Sequence, residues 1–409
     1  MLSNEQNRLL TRVEGDAPMG LMLRRNFWVP AVRSARLQAG GAPVRVRLFG
    51  MNYIAFRTDD GRVGFFDERC PHRGVSLTLA RNEDNALRCI FHGWKFGVDG
   101  AVLETPTQPV NSREFAQAVK LNHYPAREAA GMLWVWLGRE GEPPAFPELE
   151  FMGLPQSHFN VRLQVVPFNW IQGIEATIDS SHVGILHADW VNGLGELNLM
   201  AENTAPTYDM KMTDYGFKAA ALRPLNDGRS YIRVTQFVFP WYSFIPPSGM
   251  TTGDRLTIIS VPVDDTHSLQ IYYRYNISRP IKHDDWLALK NPDHFSPLPG
   301  GYDDAWGQDR ASMKDGSFSG FKDLALEDFV VQISIGAIAD RSQEHLCLGD
   351  QIIVRTRRLF LQTLERHQAG EDNALSSARQ TGLRDVRSVS TIVPEGIDWL
   401  DPSVAASAR

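Results

Sequence analysis

Short apolar runs separated by turn signals dominate the early part of the chain. Val44–Leu48, Tyr53–Arg57 and Val63–Phe66 are strand-length and rich in β-favouring residues. Asp59-Asp60-Gly61 and Asp99-Gly100 punctuate this region. From Trp28 to about Gly138 the pattern predicts a small all-β module. Ahead of it, the first 25 residues predict a short helix and a turn around Gly15-Asp16-Ala17-Pro18. Gly141-Glu142-Pro143-Pro144 and Pro147 break the pattern, and the period then changes. Trp170 to His187 predicts one helix. Strands are expected over Gly216–Leu222, Ser230–Phe239, Arg255–Val263 and Ser268–Ile277, and helices over Glu327–Ser334 and Asp350–Glu365. Strand runs bracketed by helices predict an α+β fold, an antiparallel sheet with helices on one face. The expected organisation is two domains, residues 1–147 and 148–409, with a polar tail after Gly370 that is loosely ordered or wraps a neighbour.

Composition narrows the function classes. A chain of 409 residues with 43% apolar and 22% charged residues has the balance of an ordinary globular protein with a sizeable core. Its formal charge of −6 and pI near 6.0 give no electrostatic reason to expect nucleic acid or an anionic membrane as partner. No window approaches the roughly 18 continuous apolar residues of a membrane span. The most apolar run, Met132–Leu137, is strand length and closed by Gly138. The polar N-terminus has no secretory apolar core, so a cytoplasmic location is expected. Three cysteines, Cys70, Cys89 and Cys347, cannot build a disulfide framework, which turns attention to metal binding. Cys347 has only His345 nearby in sequence and reads as a core or interface thiol.

The first candidate site is Cys70-Pro71-His72-Arg73-Gly74 followed by Cys89-Ile90-Phe91-His92-Gly93-Trp94. Zinc accepts two cysteines with two histidines, but zinc fingers pair Cys with Cys and His with His. Here each half supplies one of each, in a β-rich setting. A [2Fe–2S] cluster suits this better, with Cys70 and Cys89 on one iron and His72 and His92 on the other. Gly74 and Gly93 suit tight loops whose amides approach the sulfurs, and Trp94 is placed to cover the cluster.

The second is Asn169 through His187. Glu175, Asp179 and His182 stand at i, i+4 and i+7, one face of a helix. His187 would lie about 140° off that stripe, so the helix must loosen or end near Gly184 for both histidines to meet one metal. Two histidines and a carboxylate make the facial triad of non-haem Fe(II) oxygenases. Taken alone the spacing fits a hydrogen-bonded helix histidine with solvated neighbours better; behind the Cys/His motif it points to iron.

Together these motifs resemble the catalytic (α) subunit of Rieske non-haem iron ring-hydroxylating oxygenases, in the α-only, phthalate dioxygenase-like branch. The likeness rests on Cys70/His72/Cys89/His92, on Asn169-Trp170 through His187, and on Ile338-Ala339-Asp340-Arg341-Ser342-Gln343-Glu344-His345-Leu346 with Asp350. It implies a helix-grip catalytic domain and a mononuclear Fe(II) on His182, His187 and a later carboxylate. Asp328 is the expected third ligand, with Glu327, Asp323 and Asp340 as rivals. It further implies a head-to-tail homotrimer, or stacked trimers, in which Asp179 bridges His182 and the His92 of a neighbouring subunit. O2 would be co-substrate. Electrons from NAD(P)H would arrive through a separate reductase carrying flavin and a plant-type ferredoxin, since the chain has neither a Gly-x-Gly-x-x-Gly fingerprint nor four-Cys ferredoxin spacing. The branch favours aromatic acids such as phthalates or substituted benzoates. Ring dihydroxylation competes with O-demethylation of a methoxylated acid, and a pure electron carrier is the reading from another class. A cation for the carboxylate could be Arg223, Arg229, Arg233, Lys211 or Lys218. Phe237, Phe239, Trp241 and Tyr242 are candidates for core or pocket wall.

Overall fold

The computed structural model describes residues 2–192, 198–247, 253–281, 298, 300–371, 375 and 382–406. The chain forms two compact units. One comprises residues 14–16 and 20–147; the other comprises residues up to 13, 17–19 and 148–409. Residues 1–13 therefore belong with the C-terminal unit, not with the β-module assigned to 1–147. The reason lies in the contacts of the helix Asn4–Thr11. Asn7 Nδ2 donates to the Ala339 carbonyl at 2.9 Å, and Arg341 Nη1 donates to Asn7 Oδ1 at 3.0 Å. A second helix, Pro18–Asn26, follows the Gly15 turn where the sequence pattern shows only a turn.

In the β-unit, Val44–Leu48, Met51–Arg57 and Val63–Asp67 make an antiparallel three-stranded sheet. Met132–Trp136 is fully buried between Trp28–Arg33 and Ala126–Ala129, which explains its unbroken apolar run. A four-stranded meander runs through Arg81–Glu83, Ala86–Arg88, Lys95–Phe96 and Val102–Glu104. Its second turn carries Cys89 to Trp94.

The C-terminal unit is built on an eight-stranded antiparallel sheet. Its order is Phe159–Val166, Ser268–Tyr275, Arg255–Pro262, Tyr242–Ile245, Arg229–Val238, Gly216–Pro224 and Thr207–Met212. Val389–Pro394 adds to Arg229–Val238. The tail expected after Gly370 to be loosely ordered or to wrap a neighbour thus supplies a strand to its own chain's sheet, though residues 372–374, 376–381 and 407–409 lie outside the described residues. Its Val389 packs with Ala220, Ile232, Val234 and Trp399. Three helices dominate beside the sheet: Trp170–Ile178, Leu324–Ile335 and Gln351–Gln368.

The helix expected over Trp170–His187 is broken. Asn169 caps its start by accepting from Ile171 N at 3.1 Å, and regular helix stops at Ile178. Asp179-Ser180-Ser181 is a run whose side chains compete with helical backbone bonds, and Asp179 Oδ1 accepts from Ser181 N at 2.7 Å. Two short helices, Val183–Leu186 and Ala188–Val191, follow and flank His187. Gly184 is not the hinge. A Cβ there would overlap the Met200 carbonyl, so its role is to let the helix Asn198–Glu202 approach.

Glu175 also leaves the stripe assigned to it. It is ion-paired with Arg341 Nη2 at 2.9 Å and Arg357 Nε at 2.6 Å, and Arg357 also pairs with Glu344. Two guanidiniums hold Glu175 below its ordinary carboxylate range despite burial, which by itself would raise it. This carboxylate fastens the back of the helix; it does not face the candidate metal.

Candidate active site

The two loops of the β-unit close in the same way. Gly74 N donates to the Cys70 carbonyl at 2.8 Å and Cys70 N to the Val75 carbonyl at 2.9 Å. Gly93 N donates to the Cys89 carbonyl at 3.0 Å and Cys89 N to the Trp94 carbonyl at 2.8 Å. Gly74 and Gly93 sit at φ +73° and +74°, where a side chain would be strained. Cys70 and Cys89 are each 3% exposed, and their thiols are within hydrogen-bonding reach. Burial pushes the Cys70 thiol up to about 11, so a metal would be needed to hold it as a thiolate near neutral pH. The His72 and His92 rings lie 4.5 Å apart, and Trp94 stacks on His72 at 4.7 Å. Two buried sulfurs beside two paired imidazoles fit a [2Fe–2S] cluster. Cys347 is exposed and takes no part.

In the C-terminal unit, His182, His187 and Asp328 each bring one donor atom within 4.8 Å of the others. His182 comes from the turn after the broken helix, His187 from the junction of the two short helices, and Asp328 from Leu324–Ile335. Asp328 Oδ1 stands 3.1 Å from His187 Nε2 and 3.5 Å from His182 Nε2. The rival carboxylates are elsewhere. Asp323 caps its helix by accepting from Leu326 N at 2.9 Å, and Asp340 accepts from Ser342.

The far nitrogen of each imidazole also meets a carboxylate. Asp179 Oδ2 lies 3.4 Å from His182 Nδ1, and Glu327 Oε2 lies 2.6 Å from His187 Nδ1. An ionised carboxylate only accepts, so Nδ1 carries a hydrogen in each ring, and Nε2, which faces Asp328, is the nitrogen that would give up its proton to bind a metal. Burial would lower His182, but bonds to Asp179 and Asp328 outweigh it and raise the imidazole to about 10. His187 is raised against burial in the same way by Asp328 and Glu327. Asp179 and Asp328 are both pushed below the ordinary carboxylate range, the histidines outweighing a burial effect that would raise them.

The two supporting carboxylates differ in access. Glu327 is fully buried, and Ser319 Oγ donates to its other oxygen. The Asp179 side chain is 27% exposed and also accepts from Tyr208 Oη at 3.2 Å. Glu327 was weighed as a rival ligand, and the direction of its side chain turns it into a support for one. Adjacent helix positions point about 100° apart, so Asp328 faces the metal donors while Glu327 reaches behind His187. Tyr208 had no sequence signal, since it approaches from the edge strand Thr207–Met212.

A cavity of about 470 Å³ opens over these donors. Val183, Trp190, Met200, Ile245, Leu256 and Ile258 give it largely apolar walls. Phe237, Phe239, Trp241 and Tyr242 are not among its lining. They are core, with Phe237 stacked on Phe217 and Phe239 against Phe360.

Residues 27–125 match the Rieske [2Fe-2S] domain, and residues 135–408 match the family described as LigXa C-terminal domain like. The chain is 37% identical to the phthalate 4,5-dioxygenase oxygenase subunit of Pseudomonas putida, over 98% of this chain and 94% of that protein. The chain belongs to the Rieske oxygenase family. It is also 34% identical to the 3-chlorobenzoate-3,4-dioxygenase oxygenase subunit of Comamonas testosteroni, over 98% and 97% of the two chains. NdmA of Pseudomonas putida CBB5, in a mutant form with theobromine, shares the fold at a TM-score of 0.61 and 19% identity, covering 88% of this chain and 96% of its own.

A Rieske oxygenase takes a [2Fe–2S] cluster, a mononuclear iron and O2, and both donor sets found here suit those metals. For this Rieske oxygenase, Glu327→Gln is expected to weaken mononuclear iron binding about 10-fold. The amide would turn either a donor toward His187 Nδ1–H or a donor toward Ser319. Competition with a ferrous chelator reads the affinity, and an unchanged value would deny Glu327 its part.

Proposed function

We propose that this chain is the terminal oxygenase of a multicomponent system that hydroxylates an aromatic carboxylic acid. The observation that carries the reading is the convergence of His182, His187 and Asp328 beneath a mostly apolar cavity, in a chain that also has the Cys/His loops of a Rieske domain. Nε2 of both histidines and Asp328 would hold Fe(II), and Cys70, His72, Cys89 and His92 the cluster. When bound, the iron supplies O2 activation and the cluster supplies single electrons.

The chain's own residues do the positioning. Glu327 and Asp179 fix the tautomer and orientation of His187 and His182. Apolar walls exclude water and suit the ring of the substrate. Asp179 remains reachable from solvent, and supports a bridge to His92 of a neighbouring subunit in a head-to-tail homotrimer. Reducing equivalents come from NAD(P)H through a separate reductase, in the cytoplasm. Among the described residues no helix is long and apolar enough to cross a membrane.

The reading is tested by oxygen uptake with a surrogate reductase across phthalates, halobenzoates and methoxybenzoates. A cis-diol product identifies ring dihydroxylation, and formaldehyde release identifies demethylation. Uptake with none of these acids would refute the proposal, and an iron content of only about two per chain would return the electron carrier.

A further inference from the structure

The five cations on the strands Thr207–Met212, Gly216–Pro224 and Arg229–Val238 that the sequence offers have sharply different surroundings. Arg229 pairs with Asp227 in solvent, Lys211 is exposed, and Lys218 is only partly buried on the same strand pair. Arg223 is fully buried, but it donates to the Asn203 and Ser180 carbonyls and lies outside the cavity lining. Arg233 is 4% exposed and lines the cavity.

Arg233 has no carboxylate partner among the described residues. Nη1 donates to Tyr231 Oη at 3.3 Å and the Pro247 carbonyl at 3.0 Å, and Nη2 to the Pro246 carbonyl at 2.8 Å. Its Nε is buried with no acceptor among the described residues. The other two arginines lining the cavity are neutralised, Arg255 by Glu150 at 2.6 Å and Arg274 by Asp254 at 2.7 Å. A buried guanidinium with neutral partners and an orphaned N–H is costly unless an anion completes it. Trp190, also in the lining, presents a second buried donor, Nε1, without an acceptor among the described residues.

The strand register explains why Arg233 points here. Arg233 pairs with Ala221 and Tyr231 pairs with Arg223, so these four share one face of the sheet. Their neighbours Ala220, Ile232 and Val234 take the opposite face, where they pack with Val389 and Trp399. One residue of slip would bury the guanidinium in that apolar cluster instead.

We infer that Arg233 is the anchor for the carboxylate of an aromatic acid, holding the charged end of the substrate at the cavity wall while the ring lies among the apolar residues over His182, His187 and Asp328. This rests on the reading of the chain as an aromatic-acid oxygenase. The anchor is a binding residue: it fixes which end of the ring faces the metal donors and takes no proton.

The test uses the full holoenzyme and measures equilibrium binding of 3-chlorobenzoate, 3-methoxybenzoate and phthalate, each against its methyl ester (the dimethyl ester for phthalate). Oxygen uptake is measured alongside. Wild type is expected to prefer at least one acid over its ester. Arg233→Gln is expected to weaken that acid about 10- to 100-fold while leaving the ester unchanged, and Arg233→Lys to recover part of the loss. Iron content of both variants checks that the site is intact. If acid and ester weaken by the same factor, Arg233 only braces the Pro246–Pro247 turn and the inference falls. It falls equally if acid affinity ignores the substitution while wild type still oxidises the acid. Wild type that oxidises no acid removes the underlying function and the anchor together.

Discussion

Asp179→Asn is expected to keep both metals and to lower NADH-coupled oxidation by about 100-fold. Asp179 divides its two oxygens between different duties. Oδ1 accepts from Ser181 N at 2.7 Å and Tyr208 Oη at 3.2 Å, while Oδ2 faces His182 Nδ1 at 3.4 Å. Asparagine can keep the first pair only by turning its amide hydrogens toward the imidazole N–H. Two donors then oppose each other, and His182 loses the charge that sets its tautomer. None of the three metal donors is touched, so iron content stays near wild type. Turnover with reductase, set against iron content and substrate affinity, isolates the effect. Near wild-type turnover would mean that Asp179 only shapes the turn.

Asp328→Ala is expected to remove the mononuclear iron, taking the chain from about three irons to about two. Among the described residues, Asp328 Oδ1 is the carboxylate oxygen placed between both Nε2 atoms, at 3.1 and 3.5 Å. Without it the two imidazoles remain, but an Fe(II) site loses its hard anionic ligand and its charge balance. The visible spectrum of the cluster should persist while oxygen uptake disappears. Asp323→Ala serves as the control, because Asp323 caps the same helix and pairs with Arg162 away from the histidines. Retention of a third iron by the Asp328 variant would move the ligand assignment elsewhere.

How much of this was legible beforehand depended on range. The Cys/His loops could be read almost whole, because both halves are local and their glycines mark the turns. Asp179, His182 and His187 could be named for the same reason, but the shape of their segment could not. A pattern of apolar and polar positions does not show that Asp179, Ser180 and Ser181 bond to their own backbone and to Tyr208 in place of continuing a helix. Asp328 could be named through family likeness, whereas the difference between Asp328 and Glu327 is a side-chain direction that only packing decides. Arg233 was one of five equal candidates, since strand periodicity says which residues share a face and nothing of which cation lacks a partner. The strand Val389–Pro394 was missed because its partner Arg229–Val238 is far away in sequence and its own flanks are polar.

The first helix carries a consequence for how the molecule is made. Asn4–Thr11 precedes the β-unit in the chain, yet Asn7 bonds to Ala339, 332 residues later. In between, a complete β-unit with its own core can fold. The C-terminal unit is therefore interrupted in sequence by an insert with its own core, and the helix Asn4–Thr11 must wait for its Ala339 and Arg341 partners until residue 341 has been made. Loop closure over that span is slow and entropically dear. The C-terminal unit is the late-maturing half, because its two parts lie on either side of the insert.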